Sequence, residues 1–405
     1  ATLFFGDTVS TAQILDLVRN ARSQGLTNAR DCLDLQSGSR ALEKVAKDLR
    51  LAVGIDAGRF SCGQLLEKPE FAPALKVLEE EVTRFAAILE TQAERAEGLE
   101  KCWQRALELV QRLGHWQKVA DDGYVRWAEA FTQSLQLNLT PLDVAEIFKK
   151  QMGGHPRAWI FTSATLAVQG KFNHYCAELG LGEPESACWE SPFDYGKQAV
   201  LYAPLGMPEP NSFGYTDAVV DAAWPAVVAA NGGAFFLCTS LRAMRRTHEL
   251  LKARLEDEGL DMPLLVQGEG SKNDLLQRFR HHGASILVGS QSFWEGVDVR
   301  GEALSLVVID KIPFAPPDDP VLSARIEQMR QQGRNPFMEY QLPRAVINVK
   351  QGAGRLIRDE TDRGVLMICD PRLLSKPYGR RVWQSLPPMK RTKELQDVLN
   401  FFASR

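Results

Sequence analysis

No two of the seven cysteines, Cys32, Cys62, Cys102, Cys176, Cys188, Cys238 and Cys369, have CxxC spacing, and their number is odd. A zinc ribbon or a closed disulfide framework is therefore excluded as the organising device, and reduced thiols are expected. Cys238 in AFFLCTS and Cys369 in VLMICD lie in apolar runs, where a cysteine serves as a small buried hydrophobe. No apolar run approaches the roughly 20 residues of a membrane span, so no membrane partner is expected. The chain also lacks a phosphate-loop pattern GxxxxGK[ST] and a DEAH sequence. Gly268-Glu269-Gly270-Ser271-Lys272 has neither the four-residue gap nor the Gly-Lys pair, and Asp310, which ends an apolar run, is followed by Lys311.

Charge of one sign is also missing: 48 Lys and Arg face 51 Asp and Glu, for a net charge of -3. The distribution is uneven. Residues 341–393 hold twelve Lys or Arg against Asp359, Glu360, Asp362 and Asp370, so one end suits a phosphate-contacting surface. Hydrophobic content of 44% over 405 residues supports two or three domains with their own cores.

Residues 1–117 read as helical, although Thr2 to Phe5 have strand character. Between 71 and 114, apolar residues such as Leu75, Leu78, Val82, Phe85, Leu89, Leu99, Trp103, Leu107 and Val110 recur every three or four positions. This predicts one long amphipathic helix or an antiparallel pair. YVRWAEAF and SLQLNLT then alternate as strands do, Pro141 leads into a short helix, and Ala158 to Phe161 reads as a strand. Beyond about 197, the apolar runs QAVLYAP, GAFFLCT, PLLVQ, SILVGS, LSLVVID and GVLMICD alternate with amphipathic segments. That order predicts an α/β fold with a parallel sheet covered on both faces.

In such a sheet, ligands bind beyond the C-terminal ends of the strands. Small hydroxyl residues stand there: Thr162, Ser163 and Thr165 after one run, Ser240 after another, Ser290 and Ser292 after a third. They suit a track for a phosphodiester backbone. The sharpest local signal is Gln351-Gly-Ala-Gly-Arg355-Leu-Ile-Arg358. On a helix, Gln351, Arg355 and Arg358 would share one face, as an anionic ligand with several oxygens requires. Gly352 and Gly354 each cost about 1 kcal/mol in a helix and suggest a close approach. The tail Lys390-Arg391-Thr-Lys393 leads into a terminal helix with Leu395, Val398, Leu399 and Phe402 on one face. Packing on the domain is one reading of that face; docking of a partner is the other.

Together these pieces resemble the XPD/DinG-like superfamily 2 helicases, in their bacterial branch. TSATL (162–166) is similar to motif III, Gly289–Asp298 with SFWEGVD to motif V, and QGAGRLIR to motif VI; LTPLDVA, SPFDYGKQ and KIPFAPPDDPV are also family-like. The resemblance covers roughly residues 118–385. It implies a helical arch over 1–117, the C-terminal part of a first RecA-like motor domain over 118–195, and a second RecA-like domain over 196–405. It further implies an ATP-dependent 5′-3′ DNA helicase of replication or repair, using ATP with Mg²⁺. Arg358 and Arg355 would reach the phosphates, Arg358 as the arginine finger, and Gln351 would sense nucleotide. Gly296, Asp298 and Glu295 would couple nucleotide to DNA. Thr162, Ser163, Thr165, Ser240, Ser290, Ser292 and Trp294 would follow the DNA.

In the family the phosphate loop, four cysteines holding a 4Fe-4S cluster and the DEAH box precede the arch. A chain starting just after that box would lack all three and would not hydrolyse ATP alone. The bacterial branch implies a cytoplasmic, nucleoid-associated protein, DNA as partner, and the clamp-loader chi subunit as a candidate partner of Lys390, Arg391, Lys393 and Phe402. The competing expectation is a non-catalytic DNA- or partner-binding scaffold with a degenerate helicase fold.

Overall fold

The computed structural model describes residues 5–118, 123–154, 157–168, 170–290, 293 and 303–404. Thr2 to Phe4, Ser292, Trp294, Glu295, Gly296 and Asp298 lie outside them. The chain divides into two compact units, one of 1–158, 177–182 and 316–334, the other of 159–176, 183–315 and 335–405.

In the first unit, strands β1 (Asp7–Ser10), β2 (Gly58–Ser61), β3 (Tyr124–Ala130) and β4 (Leu135–Pro141) form an antiparallel sheet in the order β1-β4-β3-β2. A boundary at residue 117 is thus corrected, because it would split this sheet: β1 and β2 precede it and β3 and β4 follow. The two early strands have four residues each, too short for alternation to show. Ser10 and Ser61 end them and cap the next helices, each in a reciprocal capping box, with Gln13 and Gln64. The 71–114 periodicity resolves as two packed helices, Phe71–Glu90 and Glu97–Lys118. Their apolar stripes share one core with Ile14, Leu42 and Leu137.

The second unit is built on seven parallel strands, ordered β11-β5-β10-β9-β6-β8-β7. They are β5 (Ala199–Tyr202), β6 (Ala234–Leu237), β7 (Leu264–Val266), β8 (Ile286–Gly289), β9 (Leu306–Ile309), β10 (Gly364–Ile368) and β11 (Lys390–Thr392). Strand side chains alternate faces. Ala199, Leu201, Phe235, Leu237, Val307 and Ile309 enter one core, facing the helices Lys272–His282 and Leu342–Ala353. Val200, Tyr202, Phe236, Val288, Val308 and Met367 enter the other, facing Tyr215–Ala229 and Leu241–Glu258. Both faces being dry explains the near-continuous apolar runs. Each fully buried large side chain contributes on the order of 1.5–3 kcal/mol.

The run Ala158 to Phe161 is not a strand; Trp159 and Ile160 are exposed. A strand needs a neighbour for its N–H and C=O groups, and no described strand pairs with this segment. No helix among the described residues is long and apolar enough to cross a membrane.

Candidate functional site

The helix carrying Gln351 ends at Ala353. The single helical face proposed for Gln351, Arg355 and Arg358 is therefore corrected: Gln351 sits in the last turn, and both arginines lie past it. Gly354 closes the helix, and the N–H groups of Arg355 and Leu356 turn back tightly to Gly352 and Ala353 (3.1 and 3.2 Å). Two glycines in three residues remove the propensity that would carry the helix on.

The loop beyond is held firmly. Leu356 and Ile357 are buried in the sheet core. The buried Asp362 carboxylate accepts the N–H groups of Arg358 (2.6 Å) and Asp359 (2.9 Å). From the residue before β5, the Gln198 amide nitrogen donates to the carbonyls of Asp359, Glu360 and Asp362 at 3.0–3.1 Å. Arg355 and Arg358 are thus half-buried on a fixed turn, which suits guanidiniums that must meet an oxyanion in one geometry. Gln198 and Asp362 are absent from the sequence-based site. Asp362 lay in view four residues past Arg358; Gln198, more than 160 positions away, left no local signal.

Thr162, Ser163 and Thr165 stand in a turn where Ser163 Oγ accepts the Thr165 N–H and meets its hydroxyl, both at 3.2 Å. This turn lines a cavity of about 580 Å³ together with Cys188, Trp189 and Lys350. Lys350, next to Gln351, donates from Nζ to the Ala167 carbonyl at 3.0 Å, and burial pushes its pKa down. The TSATL segment and the Gln351 helix are thereby brought together through a lysine that the sequence reading counted only as a basic charge.

A second group lies at the C-terminal ends of β9, β6 and β8, neighbours in the sheet. Ser240 caps the Leu241–Glu258 helix, its Oγ accepting the Ala243 N–H at 3.1 Å. Ser290 donates from N and Oγ to Gln267 Oε1, both at 2.8 Å. At the end of β9, on the other side of β6 from Ser290, the buried Asp310 carboxylate accepts the Thr239 N–H (3.1 Å), the Thr239 hydroxyl (3.1 Å) and the Lys311 N–H (2.7 Å). Burial pushes its pKa up to about 6, against the downward pull of those donors. On the next strand end, Asp370 accepts the Ile312 N–H at 2.8 Å and holds Arg372 through two nitrogens. The edge thus presents hydroxyls and helix N-termini from a rigid polar base.

At the C-terminus, Lys390 and Arg391 lie on β11 and, with Lys393, are exposed. Arg391 covers the Trp383 ring at 5.3 Å. Phe402 is corrected as a docking residue: it is buried with Val398 in the sheet core, because β11 beside β5 brings the last helix back onto that face. Among the described residues no group of three or more His, Cys, Asp or Glu could hold a metal ion.

The Helicase C-terminal domain family matches residues 224–389. The ATP-dependent DNA helicase YoaA of Escherichia coli (strain K12) is 41% identical over 403 residues, covering 100% of this chain and 63% of that protein. The ATP-dependent helicase DinG of Mycobacterium tuberculosis (strain ATCC 25177 / H37Ra) is 36% identical over 269 residues, 65% of this chain and 39% of that protein. Among solved structures, one titled XPD_Helicase superposes with a TM-score of 0.61 at 15% identity, over 96% of this chain and 66% of its own; that likeness concerns the fold. The chain spans about 63% of the length of the YoaA protein it matches. By sequence the chain is similar to the helicases YoaA and DinG, and by fold to XPD_Helicase.

Proposed function

We propose that the chain supplies the second motor domain, with the helical arch and part of the first, of an ATP-dependent 5′-3′ DNA helicase acting in replication or repair. The observation that carries the reading is the fixed turn bearing Arg355 and Arg358 behind Gln351. An arginine finger stabilises the charge that grows on the phosphoryl oxygens, and it must arrive without first being ordered. The bonds from Asp362 and Gln198 hold the backbone of that turn in advance. Lys350 ties this helix to the TSATL turn, so a shift at the nucleotide would reach Thr162, Ser163 and Thr165. Ser240 and Ser290 would meet DNA phosphates at the strand ends.

The phosphate loop and most ligands of ATP·Mg²⁺ would come from residues outside this chain. A 4Fe-4S cluster does not fit the cysteines here, three of which are buried and none of which gathers with others into a ligand group among the described residues; in this reading it too is held elsewhere. Lys390, Arg391 and Lys393 are the candidate contact for the clamp-loader chi subunit, and reversing their charges should abolish that complex.

The test is Arg358→Ala in a protein of the relatives' full length. DNA-stimulated ATP hydrolysis should fall by about 10³-fold or more with ATP binding largely kept. Unchanged turnover would refute the assignment. ATP hydrolysis by the 405-residue chain alone would overturn the division of the site between this chain and residues outside it.

A further inference from the structure

Phe213 stands free in solvent, 105% exposed, at the end of the loop that follows β5. The loop beneath it is pinned. Gly214, at φ 79°, turns the chain into the Tyr215–Ala229 helix. The buried Tyr215 hydroxyl donates to the carbonyls of Asp310 (2.7 Å) and Cys369 (3.3 Å), at the ends of β9 and β10. Lys311 Nζ reaches the Pro210 carbonyl at 3.5 Å. The loop that carries the ring is thus tied to the C-terminal edge of the sheet, while the ring itself stands in solvent.

Its neighbours can be placed. The Tyr215–Ala229 and Leu241–Glu258 helices run side by side in the same direction. Asp217 pairs with Arg246 at 2.5 Å, Asp221 with Arg254, and Trp224 donates to Glu258 at 2.6 Å. Phe213 stands just before the start of the first of these helices, and Arg242 and Arg245 stand near the start of the second, its packed neighbour. Further along that helix, Arg246, Lys252 and Arg254 are each matched with a carboxylate. Arg242 and Arg245 are exposed and make no ion pair among the described residues. Ser240 caps the same helix end.

We propose that Phe213 stacks against a base of single-stranded DNA while Arg242 and Arg245 hold the flanking phosphates. An exposed ring and unmatched arginines at the starts of two packed helices match the combination by which single strands are bound without sequence preference, a π-face for the base and cations for the backbone. The inference rests on the reading of the strand ends as a DNA track, and it adds the base contact that hydroxyls cannot provide.

The test is fluorescence anisotropy of labelled oligo(dT) with the 405-residue chain at low salt. Phe213→Ala should weaken binding about tenfold, and Phe213→Trp should restore it. Thermal melting should not change, because the ring packs on nothing. Removing Arg242 and Arg245 together should flatten the dependence of log Kd on log salt by about 0.7 per arginine. If Ser240→Ala weakens binding but Phe213→Ala does not, stacking is overturned and the track stands. If neither variant matters, or the chain does not bind oligo(dT), the track and the stacking contact fall together.

Discussion

Asp310 offers a measurement that separates burial from hydrogen bonding as the master of a carboxylate. Its side chain is buried at the end of β9, and its pKa is pushed up to about 6 from 3.8. The folded protein therefore holds this proton more tightly than the unfolded chain does. The stabilisation that comes with it is complete below 3.8 and is lost as pH rises through 6. The whole difference amounts to about 3 kcal/mol, of which roughly half falls between pH 5 and 7.5. Asp310→Asn removes the titration and keeps the size. Urea unfolding of both proteins across that window should show the variant gaining about 1 kcal/mol on the parent as pH rises. Groups that titrate equally in both cancel from the gap. Of those facing Asp310, Cys238, Cys369 and Tyr215 are pushed up by burial and stay protonated throughout. A gap that stays constant with pH would mean that the bonds from Thr239 and Lys311 outweigh desolvation.

Tyr215→Phe deletes the hydroxyl that joins the ends of β9 and β10. It should cost about 1–2 kcal/mol in urea unfolding, since two buried carbonyls lose a donor. Hydrogen exchange should quicken in the loop below Phe213, and an unchanged loop would refute the pinning described for it. Gly232→Ala should be costlier, because φ is 76° and a Cβ would stand 2.4 Å from the Ala284 carbonyl oxygen. A melting temperature within a degree of the parent's would show that the β6 approach tolerates a side chain.

How much of this was legible in the sequence depended on how local each cause was. Six strands of the parallel sheet fell where the apolar runs lay, because a strand dry on both faces needs apolar residues at every position. β11 was missed: it is Lys-Arg-Thr, with two exposed cations, and exists through its pairing with β5. The error at Ala158–Phe161 is the converse, an apolar run with no described ladder partner. The candidate site was legible as residue types and was misjudged as geometry. Spacing i, i+4, i+7 promised one face for Gln351, Arg355 and Arg358, but Gly352 and Gly354 end the helix before the arginines. What holds the backbone just beyond those arginines is Gln198, and an amide from so far along the chain carries no local signature.

The units resisted sequence reading for a related reason. Pro316–Arg334 belongs with residues 1–158 by its contacts, yet in the chain it stands between β9 and the helix of Gln351. Its helix starts at Asp319, whose carboxylate accepts the Leu322 N–H at 2.9 Å and pairs with Arg59 at 2.6 Å. Arg59 in turn lies over the Trp127 ring at 5.2 Å. One residue of β2 thereby gathers a ring from β3 and a cap from a segment 260 positions away. In sequence, the Pro-rich run IPFAPPDDP falls inside the second RecA-like domain expected over 196–405. Its prolines and Asp319 instead begin the excursion, with Pro320 in the first helical turn, where a missing N–H costs nothing. Local chemistry therefore marked where this helix starts, while the unit it serves was set by contacts with β2 and β3, the Arg59 pair among them, that no window of sequence contains.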